Sequence, residues 1–238
     1  MPNHITNLIS FGDLPEQVAV FHKMLQDLRR DGDVYGSIDF NKLIPMPKSL
    51  DIESGSRTNR GLDAYRRFMA GDKTGAETFQ KKHPEEWALG KQAYENIRQY
   101  GSPTWYEWCN KNWGTKWNAY SCMELSKDDD TMDFFTAWNS VIPILEALSR
   151  KYPDQIITYR WADEDIGNNV GKAVFHNGEI VATDIPEPGS KTAYELASDI
   201  MGIALEDFGL YLSDDKTTYE YRKDPPKGHQ HTKGGQGR

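Results

Sequence analysis

The residues best suited to chemistry form the acidic run Asp163-Glu164-Asp165, followed by Gly167, Asn168 and Asn169. Carboxylate and amide oxygens are the ligands that a hard cation such as calcium or magnesium prefers, which makes Asp163 and Asp165 the candidate metal ligands. The run lacks the EF-hand spacing, in which a glycine and a closing glutamate sit at fixed offsets. The same residue types build turns at strand ends, so a solvated turn competes with the metal reading. Asp128-Asp129-Asp130 reads as the solvated tip of a hairpin.

A second constellation joins Trp113, Lys116, Asn118 and Trp138. Aromatic rings interleaved with a lysine could stack nucleobases on an open sheet face, as RNA-binding ferredoxin-like domains do. The chain lacks that module's signature run of basic, glycine and aromatic residues. Packing of Trp113, Trp117 and Trp138 around a helix-covered sheet is the competing explanation.

No catalytic signature accompanies these groups. His4, His22, His83 and His176 are scattered, without paired-ligand spacing and without a nucleophile beside them. His229-Gln230-His231 could hold a metal only adventitiously. Phosphate loops, dinucleotide fingerprints and nucleophile elbows are missing from the sequence. Cys109 and Cys122 are too few for an iron–sulfur cluster and lie in apolar settings, where thiols are generally inert. These observations predict no cofactor and a protein that is not an enzyme.

The elements that must position these residues follow from patterning. Residues 4–11 read as a first strand. A helix over 15–28 has Pro15 in its first turn and Val18, Phe21, Leu25 and Leu28 on one face. Residues 37–44 alternate as a second strand, stopped by Pro45-Met46-Pro47. Residues 48–112 predict a loop over 50–59, then helices over 61–69, 76–82 and 84–100, with Leu89, Ala93, Ile97 and Tyr100 facing inward. Ser102-Pro103 reads as an N-cap followed by proline, opening a short helix. Residues 113–125 and 131–138 read as a central β-hairpin, around which the rest of the chain packs.

After the hairpin, a helix starts near Pro143 and ends at Tyr152-Pro153, and a strand spans 156–162. A hairpin over 170–182 closes through Asn177-Gly178. Residues 185–189 read as a linker, and a helix runs over 193–208, weakened by Gly202. The composition from Ser213 onward is polar and rich in Pro and Gly, which predicts a disordered tail.

The 238 residues suffice for a substantial core, and 37% are hydrophobic. Mean hydropathy is low at -0.74. The 7 Trp, 12 Tyr and 9 Phe bury large areas per residue and compensate. No apolar run is long enough to span a bilayer, and residues 1–7 lack the build of a signal peptide. A cytoplasmic protein without a membrane partner is expected. The net charge is -8; residues 222–238 contribute +4, so residues 1–221 carry -12. An acidic body argues against broad binding to a phosphate backbone, leaving a face for a basic partner, mimicry of nucleic acid or a solvated surface.

Several segments together resemble a known family. They are Pro2-Asn3-His4-Ile5-Thr6-Asn7, Phe40-Asn41 through Pro45-Met46-Pro47, Trp113-Gly114-Thr115-Lys116-Trp117-Asn118 and Phe135-Thr136-Ala137-Trp138. Leu148-Ser149 through Tyr152-Pro153, and Ala162-Asp163-Glu164-Asp165 with Gly167 and Asn169, follow in the same order. From residue 2 to about residue 184 the chain is similar to the YubB ferredoxin-like family of bacterial plasmid and prophage proteins. Asn139-Ser140-Val141 departs from it, where a more proline-rich turn is expected. The resemblance implies an α+β sandwich with a mainly antiparallel sheet and no particular activity.

The expected organisation is a first β-α-β unit over 1–47, a helical insertion over 48–112, the second half of the sheet domain over 113–184, a C-terminal helix over 185–212 and a tail over 213–238. The expected function is a non-enzymatic interaction protein of a mobile genetic element. It binds a host or element-encoded protein; a nucleic-acid-associated module using the aromatic sheet face and basic tail is the alternative. A metal-dependent enzyme at Asp163 and Asp165 is the third reading.

Overall fold

The computed structural model describes residues 3–222. Its centre is a five-stranded antiparallel sheet in the order β2-β1-β3-β4-β5. The strands are β1 (His4–Ser10), β2 (Thr131–Ala137), β3 (Ile156–Asp163), β4 (Gly171–His176) and β5 (Glu179–Asp184). Alternation along β1 sends Ile5 and Ile9 into the main core beside Met132, Phe134, Ile157, Tyr159 and Phe175. Helix α1 (Pro15–Leu28) covers that face with Phe21, Leu25 and Leu28 of the expected stripe and with Met24, while Val18 is only half-buried. Helix α6 (Ile142–Lys151) adds Ile144, Leu145 and Leu148. On the opposite face α7 (Lys191–Met201) buries Ala193, Ala197 and Ile200 against Ala162, Ile166 and Val170. The result is an α+β fold in which α7 covers only part of the second face.

Residues 48–112 supply α2 (Ser56–Met69), α3 (Lys73–Lys82), α4 (Pro84–Tyr100) and α5 (Trp105–Asn112). Helices α2 to α4 enclose their own small core of Ala64, Tyr65, Ala76 and Trp87. Helix α2 begins inside the stretch expected to be a loop. The buried stripe of α4 is Trp87, Gly90, Ala93 and Asn96, rotated from the expected Leu89, Ala93, Ile97 and Tyr100. The rotation places Gly61 and Gly90 at the α2–α4 crossing, where a side chain on either would strike backbone. Thr104, rather than Ser102, caps α5, accepting from the Tyr106 N–H.

Four expectations are corrected. Residues 37–44 form no strand, so the opening unit is not β-α-β. Phe40–Lys42 is a short 3-10 turn that buries Phe40, and its Phe40 and Asn41 N–H groups donate to Asn118 and Asp39 side chains instead of a ladder. The central hairpin shrinks to one isolated bridge between Tyr120 and Phe135, because residues 113–118 coil under the sheet end and Ser121 takes a φ of 50°. The C-terminal helix stops at Met201, with Gly202 in the left-handed conformation as its cap. Beyond it, β6 (Leu210–Leu212) pairs with β7 (Tyr219–Tyr221), so residues 213–222 are ordered where a tail was expected. The rest of that tail, 223–238 with its basic residues and His229 and His231, lies outside the described residues. No helix among the described residues is long and apolar enough to cross a membrane.

Candidate functional site: an aromatic cleft and shelf

Residues 113–118 divide into anchors on either side and two projecting side chains between them, and that division builds the site. Trp113 is buried, donates its indole N–H to the Ile44 carbonyl at 2.9 Å and meets the rings of Phe40 and Trp108 edge-on. Gly114, at φ 84°, passes so close to the loop after β2 that an added Cβ would lie 2.8 Å from the Ser140 carbonyl. Thr115 Oγ1 donates to the Ala137 carbonyl at 2.8 Å and accepts from the Ala137 N–H at 3.2 Å. Asn118 Oδ1 accepts from the Phe40 and Ala119 N–H groups, while its Nδ2 donates to Asp39 Oδ1 at 2.7 Å. Burial pushes the Asp39 carboxyl up, but the hydrogen bonds from Asn118 and Asn41 outweigh it and hold the group below its usual range.

With its neighbours pinned, the segment projects Lys116 and Trp117. The Lys116 ammonium lies 4.0 Å from the Trp117 ring centroid and 5.8 Å from that of Trp138. Trp117 is 42% exposed and Trp138 48%, whereas Trp87, Trp108, Trp113 and Trp161 are buried. Trp138 has a φ of 73°, a left-handed conformation that a bulky residue pays about 1–2 kcal/mol to hold. Three contacts keep it there. Its N–H donates to the Asn3 carbonyl at 3.0 Å, its carbonyl accepts from Asn169 Nδ2 at 3.2 Å, and Thr136 Oγ1 donates to the next carbonyl, that of Asn139.

Below this shelf lies a cleft of about 290 Å³, walled by Trp105, Trp113 and Trp117, with Lys116 and Asp51 at its polar edges. Cys109 lines it, but burial pushes the thiol up to about 12, so it offers a soft wall instead of a nucleophile. The arrangement can bind an apolar or aromatic group and pair with a charge; it positions no acid–base pair.

Of the residues singled out from sequence, Trp113, Lys116 and Asn118 line one cleft, and Trp138 reaches it through Lys116. Trp113 and Asn118 act as anchors, leaving Lys116, Trp117 and Trp138 to make contacts. Asp51 joins from an element far away in sequence, with no local signal to mark it, whereas Trp105 opens α5, the helix that ends just before Trp113. Asp163 and Asp165 belong to a separate turn. Asp163 is buried and accepts from Asn3 Nδ2, the Asp165 N–H and Asn169 Nδ2 at 2.9–3.2 Å. Asp165 Oδ2 accepts from Asn168. Among the described residues, no three His, Cys, Asp or Glu side chains converge on a point where a metal ion could sit.

The fold and this sheet end define a ferredoxin-like α+β protein. Residues 116–204 match the family described as "Ferredoxin-like domain in Api92-like protein", a span running from Lys116 through β2, α6, β3, β4 and β5 to α7. The structure is similar to the crystal structure of a protein api92 from Yersinia pseudotuberculosis, at 10% sequence identity and a TM-score of 0.38. That alignment covers 79% of this chain and 99% of the other. No curated protein matches the sequence.

Proposed function

We propose that the chain is a non-enzymatic binding protein that docks a protein partner on the shelf formed by Trp117, Lys116 and Trp138. The observation that carries this reading is the pair of half-exposed indoles on either side of one ammonium group. Tryptophan is enriched among the residues that dominate protein interfaces, particularly beside a pocket that a partner side chain can fill. The cleft behind Trp117 supplies such a pocket. A bulky residue held in a left-handed conformation supports the same reading, since strain of this kind clusters at binding sites. The sequence resemblance to the YubB family, whose members are plasmid and prophage proteins, supports a mobile-element setting and a cytoplasmic partner.

The second reading is a nucleic-acid-associated module, which the same stacking rings favour. Against it stands the charge of residues 1–221, -12, with Lys116 as the cation on the shelf. A pull-down from host lysate compares the intact protein with a Trp117→Ala/Trp138→Ala variant, each with and without nuclease. A protein partner held by the intact chain, resistant to nuclease and lost with the double variant supports docking. Partners that vanish with nuclease move the assignment to nucleic acid, and a partner retained equally by both forms removes the shelf from the interaction.

A further inference from the structure

Strand β5 forms one edge of the sheet, and among the described residues no strand pairs with its outer side. Every residue of β5 is exposed, and its apolar members are prominent: Ile180 is 43% exposed, Val181 57%, and Ile185 just beyond the strand 65%. Edges of this kind are normally blunted by lysine, by proline within the strand or by a bulge. Here a bulge at Val181 turns that side chain outward. Ala182, Thr183 and Asp184 stay in register with Val174, Ala173 and Lys172, so the edge beyond the bulge is regular. Beside it, Lys172, Val174, Ala182 and Asp184 line a cavity of about 200 Å³.

We propose that this edge accepts an extended segment of another protein as a sixth strand, with basic residues flanking β-branched ones. Main-chain pairing along an open edge supplies affinity, and a pocket beside it selects alternate side chains. The flanking charges choose the occupant. Glu179 and Asp184 stand at the two ends of β5, and opposite charges directly across a ladder stabilise it. A second copy of the chain is a poorer occupant. Complete antiparallel overlap of two β5 strands sets Glu179 against Asp184 at both ends, a like-charge pairing that disfavours it. This site is separate from the tryptophan shelf and does not depend on it.

The test is calorimetric titration of the full chain with the blocked peptide Lys-Thr-Val-Thr-Val-Lys, its Glu-flanked counterpart and a form of the first N-methylated on every central backbone nitrogen, which leaves neither edge of the peptide able to pair. The Lys-flanked peptide should bind about tenfold more tightly than the Glu-flanked one. Glu179→Lys/Asp184→Asn, which alters two exposed positions without setting a second lysine opposite Lys172, should invert that preference, and the N-methylated form should bind weakly. Trp117→Ala/Trp138→Ala should leave all affinities unchanged, which separates this site from the shelf. Four results would each overturn the proposal: no saturable binding at millimolar peptide, an N-methylated peptide that binds equally, a preference unmoved by the charge swap, or loss of binding with the tryptophans. Sedimentation showing a dimer of the free chain that the charge-swapped variant alters would assign the edge to self-pairing instead.

Discussion

The Tyr159 hydroxyl donates a 2.6 Å hydrogen bond to Asn7 Oδ1 in the centre of the main core, joining β3 to β1. The same hydroxyl accepts from the Val141 N–H at the start of α6. Asn7 Nδ2 spreads its two hydrogens over the Ile5 and Phe134 carbonyls and Thr136 Oγ1, and Thr136 in turn donates to the Asn139 carbonyl. This buried network therefore reaches from the sheet centre to the turn that displays Trp138. Tyr159→Phe should cost about 1–3 kcal/mol, because it strands a buried acceptor and a buried donor. Urea unfolding measures this; a loss below about 0.5 kcal/mol, the usual surface range, would show that the network is dispensable.

Burial also pushes the Tyr159 phenol far above its ordinary value, and burial with the neighbouring Asp27 raises Tyr152. A raised phenol means that the folded chain keeps its proton when the unfolded chain would release it. The associated stability is complete below about pH 10 and declines above it, as the unfolded state ionises first. The unfolding free energy should fall between pH 10 and 12, and Tyr159→Phe should flatten that fall without abolishing it. An unchanged slope in the variant would mean that Tyr159 takes no part.

Much of the architecture was legible where one local rule sufficed. Asn177-Gly178 takes φ values of 49° and 85°, the turn that its two residues favour, and the hairpin of β4 and β5 follows. The apolar spacing of α1 and the placement of Pro143 in α6 were equally direct. Residues 37–44 misled because burial of Ile38 and Phe40 gives the same alternation in a strand and in a short 3-10 turn. What decides between them is Asn118, which supplies the hydrogen bond from 78 residues away. The site was legible in part for the same reason. Lys116 and Trp117 are neighbours in sequence, but Trp138 joins them only through the left-handed turn, and Asp51 and Trp105 only through the docking of the helical insertion.

The crossing of α2 and α4 has no room for a methyl group. A Cβ on Gly61 would lie 1.8 Å from the Glu86 carbonyl oxygen, and one on Gly90 would lie 1.9 Å from the Gly61 carbonyl carbon. Either Gly→Ala change should destabilise the insertion by about 3 kcal/mol, the upper range for overpacking against backbone. The small core of these helices is separate from the main one. Hydrogen exchange should therefore accelerate over 56–100 while β1 and β3 keep their protection. Uniform loss of protection across the chain would refute the independence of the two cores.

Both thiols should be silent in the folded state. Burial pushes Cys109 up to about 12 and raises Cys122, with nearby Asp33 and Asp133 adding to the second. The thiolate is the reactive form, so a disulfide reagent at pH 8 should leave the native protein largely unmodified and titrate both cysteines in guanidinium. Rapid modification of the native chain, mapped to Cys109 by peptide mass analysis, would place a reactive cysteine in the aromatic cleft and argue for a covalent role.

Asp163 holds the turn behind the shelf, and its behaviour separates a structural carboxylate from a metal ligand. It satisfies three N–H donors, and Asn169, one of its partners, also donates to the Trp138 carbonyl. Asp163→Ala leaves those donors without their acceptor and should cost about 1–3 kcal/mol. Release of Asn169 should also loosen the backbone of Trp138, seen as greater acrylamide quenching of tryptophan fluorescence in the folded variant. Millimolar calcium or magnesium should leave the Tm of the unaltered protein where it was, because the oxygens of Asp163 already face nitrogen donors. A rise in Tm on adding either cation, abolished by Asp163→Ala, would instead assign the turn to metal binding and make the hydrogen-bonded arrangement its empty form.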